Sequence, residues 1–117
     1  ELARRDIMNK EVVSLDGIDK KISDLLEEIQ KNLFRRALDF RRKNTFEANT
    51  KKEFKDLINK GGFVYAHWDG TKQTEQMIKD ETKATIRCIP LGQIDELGVC
   101  LFSGKQSTKK VIFAKAY

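Results

Sequence analysis

Several residue types that build active sites or rigid folds are scarce in this chain of 117 residues, which has one histidine, one proline and two cysteines. Two cysteines are too few for the disulfide-built folds of small secreted domains, so we expect reduced thiols and a cytoplasmic setting. No apolar run approaches the roughly 18 residues that a membrane span needs, and no signal-peptide pattern opens the sequence. We therefore expect a domain that works without a membrane.

Recognisable catalytic motifs are also missing. Gly61-Gly62 precedes a strand-like segment rather than a helix, which is the reverse of a phosphate-binding loop. The single histidine, His67, lies in a strand-like stretch beside Trp68, and no nucleophile motif lies near it in the sequence. The chain therefore contains no self-sufficient active site, and we expect no catalytic residue in it.

Charge, by contrast, is abundant: 35% of the residues are charged and the net charge is +5. Basic residues gather in residues 31–43, hereafter called the basic segment, where Asp39 is the single acidic residue. Such a positive segment suits phosphates, acidic groups on a neighbouring domain, or plain solvent, and the pattern alone does not separate these readings. The candidate contact residues are Arg35, Arg36, Arg41, Arg42 and Lys43.

The first part of the chain is dominated by one helical pattern. From Ile18 to about Lys43 the apolar residues recur at spacings of three and four, which predicts a long amphipathic helix. The β-branched stretch before it predicts a short strand over Ile7 to Leu15, with a turn at Asn9-Lys10.

Residues 47–117 follow an α-β-α-β-β-β pattern. Thr50 and Glu53 form a capping-box sequence, which predicts a short helix that ends at Gly61-Gly62. A second helix is predicted over residues 71–81, and strands are predicted over residues 63–68, 84–91, 98–102 and 110–116. The fold class is therefore α+β, with a long N-terminal amphipathic helix followed by a small, mostly antiparallel sheet covered by two helices.

One stretch has the outline of a zinc-binding turn. GVCLFSG, residues 98–104, would match Cys-x-x-Cys-Gly if Ser103 were a cysteine. Structural zinc takes four ligands, usually in paired spacings. Cys88, Cys100 and His67 form no such pair, although together with a carboxylate they are one conceivable site. The ordinary alternative is that both cysteines are small apolar residues.

Taken together, the segments resemble the C-terminal region of prolyl-tRNA synthetases of the archaeal and eukaryotic-like type. The matching pieces occur in the family's order over nearly the whole chain. They are ARRD (3–6), LFRRALDFRRKNTFEANT (33–50), EFKDLINKGGFV (53–64), the HW-x-G turn (67–70), IKDETKATIRCIP (78–90) and FAKAY (113–117).

The resemblance implies a class II enzyme that activates proline with ATP and magnesium and attaches it to tRNA(Pro), normally as a homodimer. Residues 1–46 would then be the last strand of the anticodon-binding domain and a long connecting helix, and residues 47–117 the non-catalytic C-terminal domain. In such enzymes the C-terminal tyrosine can fold back towards the active site. The matching residue is Tyr117, whose carboxylate we expect to support the active site.

The resemblance also places the metal. Zinc-bearing members hold the ion with four cysteines, and the matching positions here are Asp69, Thr74, Cys100 and Ser103. Three of the four are not cysteine. A carboxylate, two hydroxyls and one thiol are a poor set for zinc, so we expect no zinc in this chain.

Two other functions stay open on the sequence. The basic segment described above favours a tRNA-binding accessory module, whose affinity would fall steeply with salt. A free-standing interaction domain, independent of the family, is the second alternative, and the full reading frame would decide between it and the enzyme. The sequence does not determine the oligomeric state of the chain or its packing on a catalytic core.

Overall fold

The computed structural model describes residues 1–115 and divides the chain into two compact units, Glu1–Arg42 and Lys43–Tyr117. In the first unit two short antiparallel strands form a hairpin, with Leu2 opposite Glu11. A long helix follows the hairpin. These elements are β1 (Leu2–Arg4), β2 (Asn9–Glu11) and α1 (Ile18–Lys43).

The hairpin corrects our prediction of a single strand over residues 7–15. The chain turns at residues 5–8, where Met8 has a positive φ of 56°, and Asn9-Lys10 lies in β2 rather than in a turn. The cause is Asp6, whose carboxylate is 2% exposed and is bound by Arg4 at 2.8 Å and by the Asn32 amide of α1 at 2.7 Å. Contacts made across 26 residues of sequence thus place the turn.

The predicted helix over residues 18–43 is confirmed by α1, which spans 26 residues. Its apolar face is largely uncovered: α1 has no buried residue, and Leu26, Phe34 and Phe40 are 62%, 66% and 72% exposed. Among the residues that the structure describes, no helix is both long and apolar enough to cross a membrane.

The second unit is built on a four-stranded sheet with the strand order β3-β4-β8-β5. β3 is parallel to β4, and the other two pairings are antiparallel, which confirms an α+β fold with a mostly antiparallel sheet. A separate two-stranded ribbon pairs β6 with β7. The elements are β3 (Thr45–Glu47), α2 (Lys51–Lys60), β4 (Phe63–His67), α3 (Lys72–Thr82), β5 (Ala84–Cys88), β6 (Gly98–Val99), β7 (Gln106–Ser107) and β8 (Lys110–Lys115).

Packing of the two short helices on this sheet creates the core. Phe54 of α2 is fully buried and meets Phe113 of β8 edge to face, with ring centroids 5.1 Å apart. Val64 of β4 and Ile78 of α3 are no more than 1% exposed. Edge-to-face rings and close-packed aliphatic side chains are typical of a stable core.

The predicted capping box of α2 is confirmed. The Thr50 hydroxyl accepts from the Glu53 amide, and the Glu53 carboxylate accepts from the Thr50 amide, both at 3.2 Å. The helix ends at Lys60 with Gly61 as its C-cap, which agrees with the predicted stop at Gly61-Gly62. A side chain at the next residue, Gly62, would overlap the carbonyl oxygen of Asn44, because α2 ends where the chain passes close to β3.

Two strand predictions need correction, and two short strands were missed. The strand predicted over residues 84–91 ends at Cys88, and the one predicted over residues 98–102 stops at Val99 because the chain turns there. The amide of Cys100 donates to Lys105 O at 2.8 Å, and that of Gly104 donates to Cys100 O at 2.9 Å. β3 and β7 were not predicted, since strands of two or three residues show no periodicity.

Candidate functional site

The four positions predicted as a degenerate metal site lie in the second unit. Asp69 follows β4, and Thr74 lies in the first turn of α3. Cys100 and Ser103 lie in the turn between β6 and β7. The structure brings the Thr74 hydroxyl to the Asp69 carboxylate, at 2.8 Å. Cys100 is 1% exposed, and its backbone closes the turn.

Asp69 is the centre of this cluster. Its Oδ1 accepts from the Thr71 amide at 3.0 Å and from the Thr71 hydroxyl at 2.9 Å. Its Oδ2 accepts from the Thr74 hydroxyl at 2.8 Å. Asp69 and the two hydroxyl residues Thr71 and Thr74 are hereafter called the Asp69 cluster.

The Asp69 cluster stabilises a negative charge. Partial burial alone would raise the pKa of Asp69, but hydrogen bonds from Ser103, from the Thr71 backbone and from the two threonine hydroxyls lower it from 3.8 to about 2. Hydrogen bonds to an ionised carboxylate favour the charged form. At neutral pH Asp69 is therefore an anion whose oxygens already have donors.

This arrangement does not fit zinc. Structural zinc takes soft thiolate or imidazole ligands, and the cluster offers one thiol at most, from Cys100. Donors already occupy both Asp69 oxygens, and the neutral hydroxyls of Thr74 and Ser103 are weak ligands. Asp69 is instead an anion whose oxygens accept hydrogen bonds from Thr71 and Thr74.

The alternative zinc set of His67, Cys88 and Cys100 is not assembled either. Cys88 is exposed on β5 whereas Cys100 is buried, and the His67 ring lies against Gly98 with its Nδ1 3.3 Å from Ser107 Oγ. Across residues 1–115, no group of three or more histidine, cysteine or acidic side chains is placed to hold a metal ion.

The basic segment of α1 is exposed along its length. The Arg36 guanidinium donates to the backbone oxygen of Asp6 at 3.0 Å. One residue of the basic segment therefore stabilises the hairpin of the first unit. A role in binding tRNA or another domain stays a prediction for all five residues, which are Arg35, Arg36, Arg41, Arg42 and Lys43.

A charged cleft of about 480 Å³ was not foreseen from the sequence. At one side of it Lys110 Nζ lies 2.7 Å from carboxylate oxygens of both Glu47 and Glu96. Hydrogen bonds to Glu47 and Glu96 raise the pKa of Lys110, although its burial opposes this. The ion pairs attach the end of the 89–97 loop to the sheet.

The same loop presents apolar side chains to solvent. Their exposure was not predicted from the sequence. Leu91, Ile94 and Leu97 are 99%, 90% and 82% exposed. Their spacing of three, between Pro90 and Gly98, is the signal that could have revealed them. Contiguous exposed apolar side chains commonly mark an interaction surface.

The predicted site residue Tyr117 lies outside the described residues. The last described strand, β8, ends at Lys115. Its proposed approach to an active site therefore stays a prediction.

Comparison with known proteins gives a consistent result. A family model described as "Prolyl-tRNA synthetase, C-terminal" matches residues 51–117. Over 118 aligned residues the chain is 55% identical to a proline–tRNA ligase of Flavobacterium johnsoniae, and over 117 residues it is 52% identical to one of Porphyromonas gingivalis. In both cases the match covers all of this chain and 24% of the relative.

Comparison with solved structures also finds prolyl-tRNA synthetases. The crystal structure of prolyl-tRNA synthetase from Cryptosporidium parvum complexed with L-proline and AMP superposes with a TM-score of 0.90 at 29% sequence identity. The match covers 98% of this chain and 25% of that one. The chain thus spans about a quarter of the length of the relatives that it matches.

Proposed function

Since the chain belongs to the prolyl-tRNA synthetase C-terminal family, we propose that it serves a proline–tRNA ligase as its non-catalytic C-terminal domain. The full enzyme activates proline with ATP and magnesium and attaches it to tRNA(Pro) as a cytoplasmic homodimer. The catalytic and anticodon-binding domains of the same chain are the partners of this domain, which binds no ATP itself.

The observation that carries the proposal is the match over the entire chain at 55% identity. The sequence contains one histidine and no nucleophile motif. In the described structure that histidine packs against Gly98 and Ser107. A general base needs a substrate within hydrogen-bond reach, and these neighbours leave His67 a structural role.

Two exposed apolar surfaces support a role inside a larger protein. One is the face of α1 that includes Leu26 and Phe34, and the other is the loop that includes Leu91 and Ile94. Burying apolar area stabilises a contact by roughly 25 cal/mol per Å². We propose that the α1 face packs on the anticodon-binding domain of the full enzyme.

The role proposed for Tyr117 is to place its terminal carboxylate near the active site. A group that only positions or stabilises the reacting parts changes turnover more than folding. Deleting Tyr117 from the full-length enzyme should therefore lower proline-dependent ATP–pyrophosphate exchange while the melting temperature is unchanged. Wild-type kinetics in the deletion variant would contradict a role for the terminus at the active site. The matched control is Tyr117→Phe, which keeps the terminal carboxylate.

The second candidate function is tRNA binding through the basic segment of α1. The five basic residues in that segment are all exposed, which favours contact with phosphates. Each neutralised phosphate adds roughly 0.7 to 0.9 to the slope of log affinity against log salt. Replacing Arg41 and Arg42 by glutamine should reduce that slope by about 1 to 2 if both contact phosphate, and binding undetectable at low salt would refute the function.

A further inference from the structure

We propose that the imidazole of His67 attaches the β6–β7 ribbon to the sheet, and that it does so as one tautomer, with the Nδ1 proton donated to Ser107 Oγ. The ring of His67, at the end of β4, contacts both members of one residue pair of the ribbon. Gly98 and Ser107 lie opposite each other across β6 and β7. A Cβ at Gly98 would overlap the ring, and Nδ1 lies 3.3 Å from Ser107 Oγ.

The other hydrogen bonds of Ser107 determine where the imidazole proton lies. Ser107 Oγ is 2.8 Å from the carbonyl oxygen of Trp68 and 2.9 Å from that of Lys109. A carbonyl oxygen only accepts, and a serine hydroxyl has a single proton to donate. That proton therefore goes to one of the two carbonyls. In the remaining contact of Ser107 the donor is Nδ1 of His67.

The ribbon depends on such an attachment because it is short. It contains only two residue pairs, and a two-stranded ribbon is at best marginally stable by itself. Ser107 is 6% exposed, so water does not readily replace a lost partner. The 89–97 loop leads directly into β6 at Gly98, so the same contact positions the end of that loop.

The proposed tautomer keeps the attachment when the ring gains a second proton. An imidazolium ion is a donor at both ring nitrogens, so protonation at Nε2 leaves the Nδ1–H donor in place. A ring that instead accepted from Ser107 at Nδ1 would lose this bond on protonation. The charged groups of the cleft that His67 lines are Glu47, Lys51, Glu96 and Lys110.

A second attachment is apolar and lies towards the turn of the ribbon. The ring of Phe102 meets that of Phe54 edge to face, with centroids 5.3 Å apart. Loss of the His67 contact should therefore loosen the ribbon at its Gly98–Ser107 end and leave the turn end in place.

The first test is long-range proton–nitrogen NMR of the 117-residue chain, in which His67 gives the one histidine signal. In the neutral ring we expect Nδ1 to show the shift of a protonated nitrogen and Nε2 that of an unprotonated one. Because its hydrogen bond sets the tautomer of a histidine, Ser107→Ala should move the ring away from this state. Thr108→Ala, which removes an exposed hydroxyl, is the matched control and should leave the ring unchanged.

A wild-type ring that carries its proton on Nε2, wholly or in a mixture, would overturn the proposal. Ring shifts that Ser107→Ala does not alter would do the same.

The second test is amide hydrogen exchange in His67→Phe, which keeps a ring but removes the donor. The Glu96 amide donates to Thr108 O at 2.8 Å beside the Gly98–Ser107 pair, and its exchange should rise about tenfold or more. The Cys100 amide, bonded at the turn end, should change much less.

Two further measurements complete this test. His67→Asn, which returns an N–H donor near the Nδ1 position, should restore part of the lost protection, and equal losses in both His67 variants would contradict the donor assignment. Protection of the wild-type Glu96 amide should be the same at pH 8 and pH 5. Its loss at pH 5, or unchanged Glu96 exchange in His67→Phe, would overturn the proposal. If His67→Phe fails to fold, the wild-type tautomer decides the question.

Discussion

The two units of the chain differ most in what they bury. In the second unit Phe54, Ile78 and Phe113 are no more than 1% exposed. In the first unit α1 has no buried residue, and Leu26 and Phe34 are more than half exposed. An amphipathic pattern predicts that a helix has an apolar face, but the pattern does not say what covers that face. The second unit carries its own core, whereas the apolar face of α1 in the first unit is exposed.

The largest expected loss of stability comes from truncating a buried phenylalanine in the second unit. The same substitution at an exposed phenylalanine in the first unit is its control. Phe54→Ala removes a fully buried ring that contacts Phe102 and Phe113, and large-to-small changes of this kind cost about 3–5 kcal/mol. Denaturant unfolding of the 117-residue chain, followed by the fluorescence of Trp68, should show this loss.

Phe34→Ala is the matched control in α1, where the ring is 66% exposed. In the isolated chain it should change stability by no more than about 0.5 kcal/mol. Equal losses for the two variants would contradict the contrast between the units. In the full-length enzyme, by comparison, Phe34→Ala should become clearly destabilising if another domain covers α1.

A smaller effect is expected from acid. The folded pKa of Asp69 is about 2, against an ordinary value of 3.8, so Asp69 stabilises the fold above about pH 4. That contribution should be lost as the pH falls from 4 to 2, and solvent screening keeps it smaller than the full pKa shift would give, because Asp69 is only partly buried. Stability of the second unit measured against pH by Trp68 fluorescence should show this fall.

The control for acid is Asp69→Asn, which should be less stable at neutral pH and should lose less between pH 4 and pH 2. Asp6 of the first unit also has a pKa of about 2, mainly because Arg4 hydrogen-bonds it. Asp6→Asn should leave the Trp68 transition unchanged if the two units are independent. An acid response that Asp69→Asn does not alter would contradict the assignment.

The smallest of these effects concerns the helix cap of α2. Thr50→Ala removes the hydroxyl that accepts from the Glu53 amide, which should cost about 1 kcal/mol. Thermal melting of the second unit measures this loss. Thr108→Ala, at an exposed position, should have almost no effect, and an equal change in both variants would argue against the capping role.

Much of this fold could be predicted because local signals agree with it. The spacing of apolar residues in α1 and the Thr50–Glu53 capping pattern predict two helices close to their observed bounds. The hairpin at residues 2–11 could not be predicted in the same way. Its turn depends on Asp6, which bonds Asn32 far along the chain.

The candidate site likewise contains residues that could be predicted from the sequence and residues that could not. The resemblance identified Asp69, Thr74, Cys100 and Ser103 as related positions, and in the structure the Thr74 hydroxyl donates to Asp69 at 2.8 Å. Thr71, which makes two hydrogen bonds to Asp69, was missed because its position matches no metal ligand. The Lys110 ion pairs were missed because they join segments that are distant in sequence.

Proline-dependent ATP–pyrophosphate exchange tests the central claim most directly, measured on the full-length protein and on the 117-residue chain under the same conditions. The full-length protein should catalyse the exchange only with proline, and the 117-residue chain should give none at any concentration. Exchange by the isolated chain, or a full-length protein that fails to activate proline, would contradict the account.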